Sequence, residues 1–352
     1  MPRKAKRIQT TNAEANLETK RKRTPKRILL REAGALPDNA LKGRVVATFG
    51  RAFEVAPVGD GGSLDFEKTV ECVAAGSVRS KNKKATIVAV GDFVSYLADE
   101  SDQANDSGTI VSVEVRTSML SRKPVIGVEE DVIATNIEYL LIFSAAAEPF
   151  YNRRLIDRYL VSAEFGNLKP VIIINKIDLD DVEFLKQDFA VYTKMGIELF
   201  FVSMKRKKGL KDLLAFIKGK QSVLSGPSGA GKSTFINKIF GEELTATQEV
   251  SDRTGKGCHT TSSVCMYELR GGGLLIDTPG IREFGIQGMP KSELALYYHD
   301  FDEYRDKCRF MPCTHTHEPH CAIKEACESG AIDPERYESY INLYESLSEE
   351  QY

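Results

Sequence analysis

The 352-residue sequence predicts a multidomain protein with an N-terminal β-barrel, a central α/β domain and a helical C-terminal domain. Three changes along the chain indicate this order. Short runs rich in β-branched and aromatic residues come first, apolar runs that alternate with helix-length segments follow, and a polar helical region with clustered Cys and His comes last. We place a disordered arm at residues 1–38, the barrel at 39–123, the α/β domain at 124–289 and the C-terminal domain at 290–352.

The amino-terminal arm is strongly basic. Residues 1–31 hold eleven Lys or Arg and two Glu, so this segment carries +9 while the net charge of the whole chain is −2. A block such as KRKRTPKR cannot bury apolar surface, and this predicts disorder. The composition is typical of a solvated tail and of an arm that binds nucleic-acid phosphates. A mitochondrial transit peptide is a weaker alternative because the segment has no obvious amphipathic repeat.

The whole composition is that of a globular protein, with 42% hydrophobic and 28% charged residues. No run approaches eighteen consecutive apolar residues, and the amino terminus has no apolar signal-peptide core. Seven cysteines, an odd number, favour a reducing compartment over a disulfide framework. We therefore expect a cytoplasmic monomer that has no membrane partner.

The segment from about Leu41 to Lys123 has the pattern of short strands. Runs such as GRVVATFGRAFEVAP, TVECVAAGS and IVAVGDFVSYLAD are rich in β-branched and aromatic residues and are broken by Gly, Asp and Ser. This spacing predicts a small closed barrel. The pattern alone does not separate an oligonucleotide-binding (OB) barrel from an SH3-like one.

Six apolar runs after about Val132 predict a mostly parallel sheet with helices on both faces. They are, in chain order, EYLLIFSAA, KPVIIINK, IELFFVSM, QSVLSG, SSVCMYEL and GGLLIDTPG. Segments of helical length, such as RRLIDRYLVSAEFG and GLKDLLAFIK, lie between them. The pattern is that of a nucleotide-binding α/β domain.

A glycine-rich loop follows the fourth apolar run and matches G-x-x-x-x-G-K-[ST] in full. Its glycines let backbone N–H groups surround a phosphate, and the following helix adds the positive end of its dipole. We expect Lys232 to reach the β- and γ-phosphates and the Ser233 hydroxyl to bind Mg²⁺. The predicted nucleotide contacts here are Gly226, Pro227, Ser228, Gly229, Ala230, Gly231, Lys232, Ser233 and Thr234.

The sequence NKID, at the end of the second apolar run, indicates guanine. The Asp178 carboxylate can accept hydrogen bonds from both N1–H and the 2-amine of guanine. Adenine offers neither group, so the buried carboxylate would stay unpaired. The other predicted base-site residues are Asn175, Lys176, Ile177 and, from SMKRKKGL, Ser203 and Lys205.

The sequence DTPG closes the sixth apolar run. Asp277 is placed to hold Mg²⁺, and the Gly280 N–H can contact the γ-phosphate and move when that group leaves. Between the glycine-rich loop and Asp277 lies GKGCHTTSS, whose hydroxyls and glycines suit a mobile segment. Either Thr260 or Thr261 could bind Mg²⁺ only with GTP present, and we prefer Thr261.

These motifs occur in a permuted order. A conventional small GTPase runs P-loop, threonine switch, DxxG, NKxD and serine-lysine loop, whereas this chain runs NKID, SMK, P-loop, TT and DTPG. A circular permutation is physically tolerable because the termini of domains often lie close together at the surface. We therefore predict a circularly permuted P-loop GTPase domain.

A cluster of metal-binding residue types follows the α/β domain. Its members are Cys308, Cys313, His315 and Cys321, in the spacing C-x4-C-x-H-x5-C, with His317 and His320 nearby. Zn²⁺ favours a closed tetrahedron of such donors in structural sites. The two additional histidines leave the choice of ligands open.

The permuted order, the preceding barrel and CRFMPCTHTHEPHCAI resemble the ribosome small-subunit-dependent GTPase A (RsgA) family. NRRLIDRYLVSAE and GKGCHTT add to the resemblance, which covers about residues 40–350. It implies an OB barrel, a permuted GTPase domain and one structural zinc held by Cys308, Cys313, His315 and Cys321. It also implies GTP hydrolysis stimulated by the small ribosomal subunit during late maturation, with ribosomal RNA contacts through the barrel and the zinc domain.

One residue of the GTPase pattern is absent. Many GTPases place a Gln after the DxxG glycine to orient the attacking water, and Ile281 stands there in this chain. Because Ile cannot hydrogen-bond, we expect slow turnover without the subunit. His259, beside the two threonines, is the nearest titratable candidate, and the resemblance points to it as well. A surface histidine without a catalytic role is the alternative.

Two other functions stay open. A nonhydrolysing RNA-binding factor with a structural nucleotide site is compatible with Ile281, although Lys232, Ser233 and Asp277 speak against it. A permuted GTPase that acts on the large subunit or on another RNA is disfavoured by the barrel and the zinc cluster.

Overall fold

The computed structural model describes residues 36–76, 78, 88–99, 106–122, 131–247, 264–278, 286 and 289–347, and at 241–247 it describes the backbone alone. Several predictions fall outside these ranges: the basic arm up to residue 35, His259, Thr260, Thr261, Gly280 and Ile281. Among the described helices, none combines the length and the apolar character that crossing a membrane requires.

The N-terminal domain is a closed barrel of five strands. They are β1 (Leu41–Phe49), β2 (Ala52–Pro57), β3 (Val70–Ala74), β4 (Phe93–Ala98) and β5 (Ser107–Val113). Their order is β1-β2-β3-β5-β4, β4 pairs back to β1, and β3–β5 is the parallel pair. This five-stranded closure is an OB fold, so the predicted OB barrel is confirmed and the SH3-like alternative is wrong.

Alternate side chains of each strand point into the barrel and form its core. In β3, Val70 and Cys72 are buried while Glu71 between them is exposed. The other buried apolar residues of the interior are Val45, Val55, Val88, Val94, Tyr96, Ile110 and Val113. The strands form where the apolar period is two, as the sequence indicated.

A buried ion pair lies between the barrel and the hairpin that follows it, which consists of β6 (Met119–Arg122) and β7 (Asp131–Thr135). Arg116 donates to both carboxylate oxygens of Asp92 at 2.8 Å, and Thr135 Oγ1 donates to Asp92 at 2.7 Å. Because a buried charge is costly unless paired, these bonds fix β7 against the barrel.

The central domain is a six-stranded sheet. Strands β8 (Tyr139–Ala145), β9 (Lys169–Asn175), β10 (Glu198–Phe201), β11 (Gln221–Ser225), β12 (Cys265–Glu268) and β13 (Leu274–Asp277) correspond to the six apolar runs. Their order is β10-β9-β8-β11-β13-β12, and every pair is parallel except β12–β13. The loops after the parallel strands therefore meet at one edge of the sheet.

Helices cover both faces of this sheet. They are α1 (Arg153–Phe165), α2 (Val182–Asp188), α3 (Ala190–Lys194), α4 (Leu210–Ile217) and α5 (Lys232–Thr247), with short 3₁₀ helices at Asp60–Gly62 in the barrel and Ile177–Leu179 after β9. Leu140 and Ile142 of β8 pack in one core with α1, whereas Leu141 and Phe143 pack in another with α4 and α5. Successive residues of a strand face opposite sides of the sheet, so a continuous apolar run packs against the helices on both faces.

A backbone seam joins the barrel to the central sheet. Ala47 of β1 lies opposite Cys265 of β12 in an antiparallel pair. Arg44 of β1 is buried, and it donates to the Asn136 carbonyl at 2.6 Å and to Gln221 Oε1 at 2.9 Å. Because Gln221 begins β11, the barrel is tied to the strand that leads into the glycine-rich loop.

The C-terminal domain is helical. The 3₁₀ helices Lys291–Tyr297, His299–Phe301 and Arg305–Lys307 precede α6 (Ala322–Glu328) and α7 (Pro334–Ser346). Asp333 caps α7 by accepting from the backbone N–H groups of Glu335 and Arg336 at 2.9 and 3.1 Å. Buried Tyr298, Phe301 and Tyr340 are central to its core. The predicted barrel, mostly parallel α/β domain and helical C-terminal domain are all present. The exact residue ranges stay a prediction.

Candidate functional site

The glycine-rich loop after β11 has a backbone conformation that other residues rarely adopt. Gly226, Gly229 and Gly231 have φ angles of 143°, 80° and 98°. A Cβ at Gly226 would lie 2.1 Å from the Phe143 carbonyl oxygen, and one at Gly231 would lie 2.1 Å from Asn175 Nδ2. Glycine is therefore required at both positions, and the loop lies tightly against the ends of β8 and β9.

Lys232 begins α5, and its ammonium turns back into the loop. Its Nζ donates to the Gly226 carbonyl at 2.6 Å and to the Pro227 carbonyl at 2.9 Å. Ser233 and Thr234 are exposed in the first turn of the helix, where backbone N–H groups have no intrahelical partner. The loop thus gathers an ammonium, hydroxyls and a helix N-terminus, a combination that suits a phosphate.

Asp277 ends β13, directly beside β11. Burial raises the pKa of Asp277, and the charge of Lys232 opposes the shift. Burial lowers the pKa of Lys232, and Asp277 opposes that shift in turn. The next residue is fixed, because Thr278 Oγ1 donates to the Leu224 carbonyl at 2.6 Å. The two side chains thus stabilise each other's charged form at the edge of the sheet.

Asn175 joins the base-binding loops to the phosphate-binding loop. Its side chain is 2% exposed, its Nδ2 donates to the Ala230 carbonyl at 3.0 Å, and its Oδ1 accepts from the Met204 N–H at 3.1 Å. Ala230 belongs to the glycine-rich loop, and Met204 belongs to the SMK loop after β10. The predicted contact of Asn175 with the base edge stays a prediction, since both ends of this amide bond the protein itself.

Asp178 is exposed at the end of NKID and is held by the SMK loop. Ser203 Oγ donates to its carboxylate at 2.5 Å and accepts from the Arg206 N–H at 3.0 Å. The Ser203 hydrogen bond, chiefly, lowers the pKa of Asp178, and the nearby charges of Lys205 and Arg206 act in the same direction. Asp178 is therefore an ionised acceptor at neutral pH.

A loop after β8 completes the cleft, and the sequence analysis did not identify it. Lys176, at φ 61°, donates from Nζ to the Glu148 carbonyl. The neighbouring Pro149 lies against the glycine-rich loop, because a Cβ at Gly229 would come 3.0 Å from its Cδ. The position of this loop in the sheet could have identified it. The sequence AAAEPF lies at the end of β8, and β8 lies between β9, which carries NKID, and β11, which leads into the glycine-rich loop.

Four donors converge in the C-terminal domain. The ligand atoms of Cys308, Cys313, His315 and Cys321 all lie within 4.8 Å of one another. Cys308 Sγ and Cys321 Sγ are 3.8 Å apart, and His315 Nδ1 lies 3.5 and 3.4 Å from them. A zinc tetrahedron with Zn–S bonds of about 2.3 Å places two sulfur atoms about 3.8 Å apart. The donor set and its spacing therefore suggest a zinc site.

The choice among the histidines follows from burial. His315 is 2% exposed, and Tyr337 Oη donates to its carbonyl at 2.9 Å. His317 and His320 are exposed and do not belong to the converging group. The geometry thus selects the same four donors as the resemblance did.

Comparison with known proteins decides the family. Residues 113–287 match the family described as RsgA GTPase. The chain is 40% identical over 317 residues to "Small ribosomal subunit biogenesis GTPase RsgA" of Chlorobaculum parvum, an alignment that covers 89% of this chain and 100% of that protein. The chain belongs to the RsgA GTPase family. A protein of the same name from Klebsiella pneumoniae is 35% identical over 288 residues, which is 79% of this chain and 81% of that protein.

Two solved structures share the RsgA-family fold described above. YjeQ from Thermotoga maritima has a TM-score of 0.65 and 29% identity and covers 88% of this chain and 98% of its own. YloQ, described as a circularly permuted GTPase, has a TM-score of 0.62 and 25% identity and covers 89% of this chain and 97% of its own. These likenesses confirm the predicted circularly permuted GTPase fold, and the family confirms the predicted GTPase activity.

The RsgA-family fold brings most of the predicted nucleotide residues to one edge of the sheet. The described ones are residues 226–234 of the glycine-rich loop, Asn175, Lys176, Ile177, Asp178, Ser203, Lys205 and Asp277. Their contact with a nucleotide stays a prediction, as do the roles of His259, Thr260, Thr261 and Gly280, which lie outside the described residues.

We predict that Gly231→Ala abolishes nucleotide binding. The added Cβ would lie 2.1 Å from Asn175 Nδ2, so it displaces the amide that joins the two loops. Titration of a fluorescent GDP analogue should show no saturation with the variant. Gly196→Ala is the control, because Gly196 also has a positive φ, 76°, but a Cβ there meets nothing within 4 Å. Equal affinity in both variants would contradict the packing seen here.

Proposed function

We propose that this protein binds GTP with Mg²⁺ at the carboxyl edge of its central sheet, hydrolyses it, and acts on the small ribosomal subunit during its maturation. The observation that carries the proposal is the pair of Asn175 hydrogen bonds, which holds the NKID, SMK and glycine-rich loops together as one site. The name of the Chlorobaculum parvum relative, "Small ribosomal subunit biogenesis GTPase RsgA", supports the choice of particle.

Guanine selection would rest on Asp178. Its ionised carboxylate can accept from N1–H and from the 2-amine, and Ser203 holds it in place. A base that lacks both donors would forgo these two hydrogen bonds. The sequence analysis expected a buried carboxylate, whereas Asp178 is exposed and paired with Ser203, so the discrimination would come from the lost bonds to the base. The stem of Lys176 would lie along the base, and exposed Lys205 adds positive charge beside the pocket.

The phosphates would be bound by the glycine-rich loop and Lys232. Mg²⁺ would be held by the oxygen donors of Ser233 and Asp277 and, in the GTP state, of Thr261 or Thr260, which are the hard ligands it prefers. The ion would neutralise charge on the β- and γ-phosphates. Lys232 is suited to the phosphates because its ammonium already lies in the loop, where it donates to the Gly226 and Pro227 carbonyls.

Hydrolysis would need help in orienting water. Ile281 cannot supply a hydrogen bond, so turnover by the protein alone should be slow. We assign the orienting role to His259, the titratable residue beside the switch threonines. Binding of the small subunit would then position His259 beside the attacking water and raise the rate.

Contacts with ribosomal RNA would come from the OB barrel and the C-terminal domain. OB folds commonly present a strand face and adjoining loops to oligonucleotides. The basic arm, with eleven Lys or Arg before residue 32, would add salt-dependent attachment to phosphates. A monomeric state and a cytoplasmic location stay predictions.

One structural zinc would organise the C-terminal domain through Cys308, Cys313, His315 and Cys321. With four protein donors, the site has no open position for catalysis. Metal binding contributes about 10–16 kcal/mol in small zinc peptides, so we expect its loss to destabilise the segment that carries the four donors.

We predict that removing the zinc unfolds the C-terminal domain locally, around the four donors. Cys321→Ser should lose one equivalent of zinc by metal analysis and become sensitive to protease after residue 289. Cys327→Ser is the matched control, because Cys327 lies outside the converging group. Full protease resistance of zinc-free Cys321→Ser would show that the metal is not structural.

The experiment that tests the function measures phosphate release from GTP with purified small or large subunits over a salt series. We expect slow release alone, stimulation on the order of tenfold or more by small subunits, and a steep loss of stimulation with salt. No release of phosphate under any condition would favour the nonhydrolysing RNA-binding factor, and stimulation by large subunits would favour a GTPase that acts on the large subunit.

Asp178→Asn tests the choice of base. The variant should lose turnover of GTP and should hydrolyse xanthosine triphosphate instead, because the 2-oxo group of xanthine accepts from the Asn amide.

The role of His259 has its own test. We predict that His259→Ala lowers the subunit-stimulated kcat by about 10²-fold, a usual size for loss of a positioned proton-transfer or water-orienting group, while GDP affinity stays unchanged. Stimulated single-turnover rates measure the effect. An unchanged kcat would show that His259 takes no part in hydrolysis, and it would favour the alternative of a surface histidine without a catalytic role.

A further inference from the structure

Helix α1 lies between the C-terminal domain and the loops of the nucleotide cleft, and it contacts both. We infer that Arg153, at the start of α1, is a positioning residue through which the C-terminal domain holds the base-binding side of the cleft in place. The inference rests on the proposed guanine-nucleotide site, but it assigns a function to residues that do not contact the nucleotide.

The C-terminal domain is locked onto α1 by a buried ion pair. Arg336 of α7 is 1% exposed and donates to Asp157 of α1 at 2.6 Å and to Asp300 at 2.9 Å. Tyr192 Oη donates to the same Asp157 oxygen at 2.8 Å. Because loss of either partner would leave a buried charge without compensation, α7 is held firmly on α1.

Arg153 of α1 contacts both the start of α7 in the C-terminal domain and the end of α2 in the GTPase domain. Its side chain is 9% exposed, and its guanidinium donates to Asp333 at 2.9 Å and to Asp188 at 3.3 Å. Asp333 caps α7 in the C-terminal domain, whereas Asp188 ends α2 in the GTPase domain. The guanidinium also forms an ion pair with Glu335 of α7 at 3.1 Å, so it is shared between carboxylates of two domains. Its removal breaks the contacts to both domains at once.

Asp188 also contacts Tyr151, at the end of the loop after β8. Tyr151 Oη donates to Asp188 Oδ2 at 2.8 Å, and the Tyr151 ring packs edge-on against Phe189 with ring centroids 4.9 Å apart. Tyr151 is thus fixed both by a hydrogen bond and by ring packing. It stands two residues after Pro149, at the end of the short loop that reaches the nucleotide cleft.

That loop contacts both halves of the cleft. The Glu148 carbonyl accepts from Nζ of Lys176, the NKID lysine, and Pro149 lies against Gly229 of the glycine-rich loop. A continuous series of contacts therefore runs from the cap of α7 through Arg153, Asp188 and Tyr151 to the base-binding lysine. Displacing the C-terminal end of this series frees the loop that orients Lys176.

A matched pair of variants separates positioning from simple domain attachment. Arg153→Met removes the shared guanidinium. Arg154→Met removes the neighbouring ion pair to Glu338, which also joins α1 to α7 but is exposed to solvent. We expect Arg153→Met to bind fluorescent GDP and a nonhydrolysable GTP analogue about threefold to tenfold more weakly, and Arg154→Met to stay within about twofold of the wild type.

Tyr151→Phe provides a second approach that preserves the fold, because the ring and its packing remain. It should reproduce most of the loss in affinity, and the double variant Arg153→Met, Tyr151→Phe should lose no more than the larger single loss, since both changes interrupt one series of contacts. Wild-type affinity in either single variant, or losses that multiply, would overturn the inference. Failure of the wild-type protein to bind GDP would instead refute the proposed nucleotide site.

Discussion

The candidate nucleotide site depends on one buried amide. Asn175 donates to the Ala230 carbonyl and accepts from the Met204 N–H, so a single side chain sets the distance between the loop that would hold phosphates and the loops that would hold a base. Gly231 is required beside it because no larger residue leaves room for the amide. We expect specificity for a whole nucleotide, rather than for a phosphate or a base alone, from this fixed separation.

The permuted chain order is compatible with this arrangement because the sheet does not depend on where the chain begins. The strand order β10-β9-β8-β11-β13-β12 brings the ends of β9, β11 and β13 to one edge, although β9 comes first in the sequence. The strands that lead to the predicted base-binding loops come before the glycine-rich loop in the sequence. The permutation changes where the other domains are attached. The barrel precedes β8 in the chain, and the C-terminal domain follows β13.

Much of this architecture could be predicted from the sequence, because local patterns determine it. Each of the six apolar runs became a strand, and the glycine-rich loop lies between β11 and α5 as its spacing required. Alternation could not distinguish an OB from an SH3-like barrel, since the difference lies in the β3–β5 pairing and not in the strands themselves. The spacing of Cys and His left six candidate donors, and only convergence in space singled out four.

The features that were missed are contacts between residues far apart in sequence. Arg336 and Asp157 are 179 positions apart and Arg44 and Gln221 are 177 apart, and no periodicity links such pairs. Arg153 reads as an ordinary surface residue at the start of an amphipathic helix, yet its side chain is 9% exposed and its partner Asp333 is 180 positions away in the sequence. The Glu148–Pro149 loop has no motif of its own, and its importance comes from lying between two loops that do.

The seam between β1 and β12 has a consequence for how the molecule behaves in a concentrated cell. A strand at the margin of a sheet presents unsatisfied backbone groups that invite pairing with another copy. Here the antiparallel pair at Ala47 and Cys265 shields part of that margin with the barrel itself, while the opposite margin, β10, is only four residues long. The same domain that we propose to contact RNA thereby also guards the GTPase sheet against edge-to-edge aggregation.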